Sequence, residues 1–248
     1  MKVIILSAGT GTRLKLNLPK SLVQVNSKKM VDIQIDILNS IGINKDKITV
    51  VTGYKSNLFS QYEFNKVLNK NFSATGQVYS ISCAGDLATE KEVVIIYGDV
   101  LFEASLIDDL INSKHDFIVP SYVNFKKLWE ERGDYQFEDL ETFSVNKNGR
   151  VLEIGNKVKD IKSVQGQFMG IVYTNNFMFK KFLDHYEGYK TEFSEKISTQ
   201  LQTTTFLNYL IRKQIQIQSL DYYGYFMELD NEDDLKIIQN SEDFLSSI

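Results

Sequence analysis

The chain has one cysteine, Cys83, in 248 residues, so no disulfide can close within it, and such usage fits a reducing compartment. Cys83 falls in an apolar helical pattern and reads as buried filler rather than as a nucleophile. Histidine is almost as scarce: His115 and His185 lack metal-ligand spacing, and neither is given a role. No basic block exists, and a formal net charge of −4 leaves nothing to neutralise a nucleic-acid backbone, which excludes that class of partner. No apolar run approaches the roughly 18 residues of a membrane span. The first residues read as a strand, without the basic and apolar regions of a signal peptide. A cytoplasmic protein with no membrane insertion is therefore expected. No Ser- or Gly-rich linker and no repeat divides the chain. What is present is 43% hydrophobic and 24% charged, the balance of a globular chain that buries a core without staples. Nothing in the sequence fixes the oligomeric state, and a homo-oligomer stays open.

The most informative stretch is the first. Lys2–Leu6 is an apolar run of the kind found in parallel strands buried on both faces. It enters Ser7-Ala8-Gly9-Thr10-Gly11-Thr12-Arg13-Leu14, with Pro19-Lys20-Ser21-Leu22 beyond. Gly9 and Gly11 permit positive φ and bring bare N–H groups within reach of a ligand. Arg13 and Lys20 set two cations beside them. A strand, a glycine turn and fixed positive charge make a cradle for a polyphosphate. The loop is not a dinucleotide fingerprint, because position 14 is Leu rather than Gly. It is not a P-loop either, because Gly11 is followed by Thr12-Arg13.

Along the chain, Lys28–Ile41 carries a helical stripe ended by Gly42, Ile48–Thr52 reads as a strand, and Asn57–Leu68 and Thr75–Leu87 read as helices. Val93–Tyr97 is the strongest buried strand and ends in Gly98-Asp99. A helix around Leu106–Ile111 and a strand at Phe117–Val119 follow. This alternation predicts an α/β fold with a doubly wound, Rossmann-like, mainly parallel sheet. After Pro120 the pattern changes. Leu140–Val145 and Val151–Ile154 flank Asn148-Gly149, a hairpin turn. Gln167–Tyr173, Ile215–Gln218 and Tyr223–Leu229 read as strands; Asn175–Tyr186, Thr203–Arg212 and Asp233–Phe244 read as helices. The expectation is one domain over 1–248: a nucleotide-binding core at 1–120, a mixed-strand cap for the acceptor at about 121–174, and the rest of the core at 175–248.

Asp99 stands at the carboxyl end of a strand, where ligands gather in parallel sheets. Asp230 lies in Glu228-Leu229-Asp230, followed by Asp233-Asp234-Leu235. A helix N-cap is the plain alternative for Asp230.

The opening residues resemble the signature x-A-G-x-G-x-R-[LM]-x(n)-P-K of nucleotidyltransferases that activate small phosphorylated compounds. The resemblance implies a nucleotide held by Leu6, Ala8, Gly9, Thr10, Gly11 and Thr12, with Arg13 and Lys20 as catalytic cations. It implies Mg²⁺ on Asp99 and Asp230, in keeping with the one or two carboxylates that Mg²⁺ commonly takes. Asn71–Gly76 resembles the N-x-x-Y-x-x-T-N segment of phosphocholine-type cytidylyltransferases, which puts Thr75 and Gly76 near the base, with Gly76-Gln77 where Asn is commoner. Segments from Trp129 to Gly170, among them Asp139–Thr142 and Glu153–Lys157, resemble the same subgroup and imply acceptor contacts from Trp129, Arg132, Glu141, Lys157 and Gln167, with Glu228 added. Four of them have a plain alternative. Trp129 packs a cap; Arg132 pairs with Glu131 or Glu141 at the surface; Lys157 is a solvated turn lysine; Glu228 points to the far side of its strand. Gln167 stands where hexose-1-phosphate enzymes commonly carry Glu, which tells against a hexose.

The resemblance thus implies a Mg²⁺-dependent cytidylyltransferase. It would join CTP to phosphocholine, aminoethylphosphonate or a phosphorylated amino acid such as phosphoglutamine, with release of pyrophosphate, for bacterial surface decoration. A hexose-1-phosphate nucleotidyltransferase is the first rival. A regulatory protein that binds nucleotide without turnover is the second, disfavoured because Arg13, Lys20, Asp99 and Asp230 are all present.

Overall fold

The computed structural model describes residues 1–14, 16–133 and 140–246, without the side chains of Arg13, Ala88 and Ser246. Strand β1 (Lys2–Ser7) forms from the opening apolar run. A short hairpin of β2 (Gln24–Val25) and β3 (Lys28–Lys29) leads into α1 (Met30–Ser40), and β4 (Ile48–Thr52) follows. The helix expected over Asn57–Leu68 is absent: a 3₁₀ turn at Ser56–Phe59 precedes strand β5 (Asn65–Leu68). This strand is mostly exposed at the sheet edge, so it lacks the apolar run that marks a central strand.

Then come α2 (Gln77–Cys83), β6 (Glu92–Tyr97), β7 (Val100–Phe102), α3 (Ala104–Asn112) and β8 (Phe117–Tyr122). Helix α2 is shorter than its sequence pattern, which runs on into a 3₁₀ turn at Gly85–Thr89. Helix α4 (Phe125–Glu131) precedes the hairpin of β9 (Glu141–Val145) and β10 (Val151–Lys157). The single strand expected over Gln167–Tyr173 is two, β11 (Gln167–Phe168) and β12 (Ile171–Asn175), broken at Gly170. Helices α5 (Asn176–Glu192), α6 (Glu195–Thr199) and α7 (Thr203–Arg212) follow. Strand β13 (Gln218–Tyr222) starts where the expected Ile215–Gln218 strand was to end; β14 (Phe226–Glu228) follows. The last helix of the sequence reading divides into α8 (Glu232–Gln239) and α9 (Glu242–Ser246).

The central sheet has the order β11-β8-β12-β6-β1-β4-β5, with β13 also on β8. The pairs β1–β4, β1–β6, β4–β5 and β8–β13 are parallel; β12 runs antiparallel to β6 and β8. Alternate side chains of the central strands enter two cores. Val3, Ile5, Val94 and Ile96 face one side with Met30, Leu38 and Leu106 from α1 and α3. Ile4, Val93 and Ile95 face the other with Val78, Phe179, Phe182 and Phe206 from α2, α5 and α7. The sheet is mostly parallel and covered on both faces, as its unbroken apolar strands require.

The ends of segment 121–174 join this sheet, through β11 on β8 and β12 on β6, while β9 and β10 form a two-stranded sheet of their own. A small third cluster of Phe125, Trp129, Leu140 and Val164 lies under α4. Chain order reverses between β4 and β6 on the two sides of β1, and such a switch point opens a crevice at the carboxyl ends of the strands.

Candidate active site

Two adjoining cavities occupy that crevice. The first is lined by Leu6, Ala8, Gly9, Gly11, Lys20, Thr75, Gly76 and Asp99, and the second by Trp129, Arg132, Glu141, Gln167, Glu228 and Asp230. Gln77, Tyr97 and Gln202 line both. Thr10 and Thr12 line neither, Lys157 is exposed at the end of β10, and Arg13 has its backbone in the Thr12–Leu14 turn with its side chain outside the described residues. Asp139 also lies outside the described residues.

The first cavity is built mainly from backbone and small side chains. Gly11 has φ +61°, whereas Gly9 is not in the left-handed region and contributes bare, exposed backbone instead. Gly76 answers to packing. Its N–H donates to the Thr199 carbonyl at 2.7 Å, and a Cβ there would lie 2.4 Å from the Leu201 oxygen. That contact excludes the Asn common at this position in the resembling segment. Among the described residues, the hydroxyls of Ser7 and Ser21 and Oε1 of Gln77, all on residues that line this cavity, are buried without a hydrogen-bond partner. Orphaned polar groups on residues that line a cavity are groups that a ligand can satisfy after a turn of the side chain.

At the junction the geometry is ionic. Lys20 Nζ lies 2.9 Å from Asp99 Oδ2 and 2.6 Å from Asp230 Oδ1. Burial alone would lower its pKa, but the two carboxylates prevail and raise it, so the ammonium stays charged. Asp99, Glu228 and Asp230 each place a carboxylate oxygen within 4.8 Å of the others. Desolvation, then the charges of Asp230 and Asp99, push the Glu228 carboxyl up to about 8. Three hard oxygen donors at one point suit a divalent cation such as Mg²⁺.

These residues meet because β14 pairs antiparallel with β7, setting Glu228 opposite Val100, and Leu229 N–H donates to the Asp99 carbonyl at 2.8 Å. Glu228 therefore faces the cluster and not the far side of its strand. Asp230 is not the cap of α8. Asn231 is, with its side chain accepting from the N–H groups of Asp233 and Asp234.

The second cavity is built from side chains. Trp129 is 4% exposed and packs in the small cluster under α4, yet it also lines the cavity, and its Nε1–H donates to Gln167 Oε1 at 2.8 Å. The Arg132 guanidinium lies 4.8 Å from the Trp129 ring centre. Its partner is Asp234, at 2.7 Å from Nε and 3.0 Å from Nη2, not Glu131 or Glu141. Thr204 Oγ1 donates to Glu141 Oε1 at 3.3 Å, and desolvation raises the Glu141 pKa.

Tyr97, Gln77, Gln202, Thr204 and Phe168 line the cavities without having been singled out from sequence. Tyr97 had a signal, its place immediately before Gly98-Asp99, and Gln77 another, its place beside Gly76. Burial strongly raises the Tyr97 pKa, and Asp99 and Glu228 add to the effect.

Comparison with known proteins points the same way. A model of the MobA-like NTP transferase domain matches residues 3–144. The chain is 28% identical to a CTP:phosphoglutamine cytidylyltransferase of Campylobacter jejuni, covering 96% of this chain and 98% of the relative. It is 31% identical to a choline-phosphate cytidylyltransferase of Streptococcus pneumoniae, over 61% of this chain and 67% of the relative. Among solved structures, a CTP:phosphocholine cytidylyltransferase from Streptococcus pneumoniae superposes with a TM-score of 0.73 at 20% identity, covering 96% of this chain and 97% of that one. An inositol-1-phosphate CTP transferase from T. maritima gives 0.72 at 16% identity, covering 97% and 96%. At these identities the two structures speak for the fold alone.

Proposed function

Because the chain belongs to the MobA-like NTP transferase family, we propose that it is a cytidylyltransferase, joining CTP to a small phosphate or phosphonate and releasing pyrophosphate. The observation that carries this reading is the meeting of Lys20, Asp99, Glu228 and Asp230 where the two cavities adjoin. The nucleotide occupies the backbone-lined cavity and the acceptor the cavity lined by Trp129 and Arg132.

An oxygen of the acceptor's phosphate or phosphonate attacks the α-phosphorus of CTP. A new P–O bond forms, the bond from the α-phosphorus to the bridging oxygen breaks, and pyrophosphate leaves with the electron pair. Two unit negative charges about 4 Å apart repel by roughly 4 kcal/mol at an effective dielectric near 20. Each reactant carries more than one, so positioning and charge compensation are the main tasks, and no covalent nucleophile is needed.

The Lys20 ammonium compensates the α-phosphate. Loop amides and the Ser7 and Ser21 hydroxyls hold the triphosphate and ribose side. A divalent cation on Asp99, Glu228 and Asp230 would supply further positive charge. Trp129, Gln167 and Glu141 orient the acceptor. The second cavity carries Glu141 and Asp230, with Glu228 raised toward its neutral form, against one guanidinium already paired with Asp234. That excess of negative charge beside an indole suits an acceptor with a cationic group at its far end, as in phosphocholine or aminoethylphosphonate.

The test offers each of CTP, UTP, dTTP and GTP with phosphocholine, aminoethylphosphonate, phosphoglutamine or a hexose 1-phosphate, and reads pyrophosphate. Preference for CTP with an amine-bearing acceptor is expected. Preference for UTP or dTTP with a hexose phosphate overturns the reading. Tight nucleotide binding with no pyrophosphate from any pair favours a regulatory protein.

A further inference from the structure

The Asp234 side chain is 1% exposed, and it holds four donors from two distant parts of the chain. Its Oδ1 accepts from Arg132 Nε at 2.7 Å, and its Oδ2 from Arg132 Nη2 at 3.0 Å. The same Oδ2 accepts from the backbone N–H of Asp230 at 2.8 Å and of Asn231 at 3.0 Å. A buried carboxylate is costly unless its lone pairs are filled, and here each oxygen has a charged or amide donor. One side of this clamp is the loop that carries Asp230. The other is Arg132, directly after α4, with its guanidinium beside the Trp129 ring and 3.5 Å from Asp230 Oδ2.

We infer that Asp234 is a positioning residue that sets Asp230 and Arg132 together, so that the acceptor side of the site and its carboxylate cluster move as one unit. The inference rests on the nucleotidyltransferase reading only for what the unit positions. The coupling itself is a property of the chain. Capping alone does not account for the arrangement. A capping carboxylate needs only backbone donors, whereas this one also takes a fork-shaped pair of bonds from a side chain 102 residues away. An asparagine at 234 keeps at most three of the four bonds and turns its own N–H₂ toward a donor.

Amide hydrogen exchange on the full chain tests the coupling without any ligand. Arg132→Gln leaves Asp234 and its backbone bonds in place, yet it should speed exchange at Asp230 and Asn231 by roughly tenfold, with β1 unchanged. Asp234→Asn should speed exchange in that loop and in α4 together. It should also weaken Mn²⁺ binding in the presence of CTP, followed by water-proton relaxation, by about tenfold. Unchanged exchange at Asp230 and Asn231 in Arg132→Gln overturns the inference, as does an equal rise in β1, which would mean general loosening. Unchanged Mn²⁺ affinity in Asp234→Asn overturns the positioning of Asp230. Should Asp234→Asn not fold, Arg132→Gln decides alone. A wild-type chain that releases no pyrophosphate with any substrate pair, yet shows the exchange coupling, defeats the functional reading and leaves the clamp standing.

Discussion

The two cavities at the crevice are made of different material. The first takes its shape from the turn after β1, from Gly76 against the Thr199–Leu201 backbone, and from small residues such as Ser7, Ala8 and Ser21. The second takes its shape from large side chains on α4, β9, β11, β14 and the start of α7. The backbone-built part of the first cavity suits what every nucleoside triphosphate shares and tolerates little added bulk, which leaves the choice of base to side chains such as Gln77 and Gln202. A cavity made of side chains can be refitted one residue at a time, and the proposed function puts acceptor specificity there. The ionic junction between them serves both.

The comparison breaks hardest at the junction. Asp99→Asn should lower turnover by roughly a thousandfold, the scale of about 4 kcal/mol in transition-state stabilisation. The fold should persist, read by pyrophosphate release beside circular dichroism; near-normal turnover would move the chemistry elsewhere. Lys20→Met should cost about a hundredfold in kcat. Gly76→Asn probes the bare-backbone claim, because a Cβ 2.4 Å from the Leu201 carbonyl oxygen forces the loop apart. A loss of about 2–3 kcal/mol is expected in a denaturant titration.

A pH effect sharpens the view of the junction. The Glu228 carboxyl is raised to about 8, so between the ordinary glutamate range and that value the folded chain binds more protons than the unfolded one. The stability contributed by this group is therefore full at low pH and is lost as pH rises through the window, by at most about 1.4 kcal/mol per pH unit. Thermal unfolding without added metal should show that fall, and Glu228→Gln should flatten it. The smallest effect belongs to the side-chain cavity. Trp129→Phe keeps a ring beside Arg132 but removes the donor to Gln167. It should raise the acceptor KM a few-fold, the worth of about 1 kcal/mol in one hydrogen bond, and leave the CTP KM alone. Equal changes in both constants would erase the distinction between the cavities.

The same contrast explains what could be read from the sequence. A backbone-built loop needs glycines and small residues at fixed spacing, so the turn after β1 and the strand ending in Gly98-Asp99 were visible at once. Strands β1, β4 and β6 were visible because strands buried on both faces are apolar throughout. Edge strand β5 was hidden because its residues are mostly exposed, and β13 because its exposed and half-buried residues follow the more apolar Ile215–Ile217. In the second cavity, Trp129, Arg132 and Glu141 were named by resemblance, but their partners were not. The Arg132–Asp234 pair joins residues 102 positions apart, and no local pattern announces it. Surface pairing of Arg132 with Glu131 or Glu141 was the nearer guess in sequence, and the pairing of β14 with β7 defeated it.

That ribbon of β7 and β14 stands outside the sheet it serves. The last strand of the central sheet ends at Tyr222, whereas Glu228 and Asp230 come later and are brought home only by pairing with residues near 100. The central sheet contains neither β7 nor β14, so fraying of that ribbon would scatter the acidic cluster while the cradle beside β1 kept its strands. The carboxylate cluster is thus only as durable as a two-strand ribbon outside the sheet that carries the glycine turn.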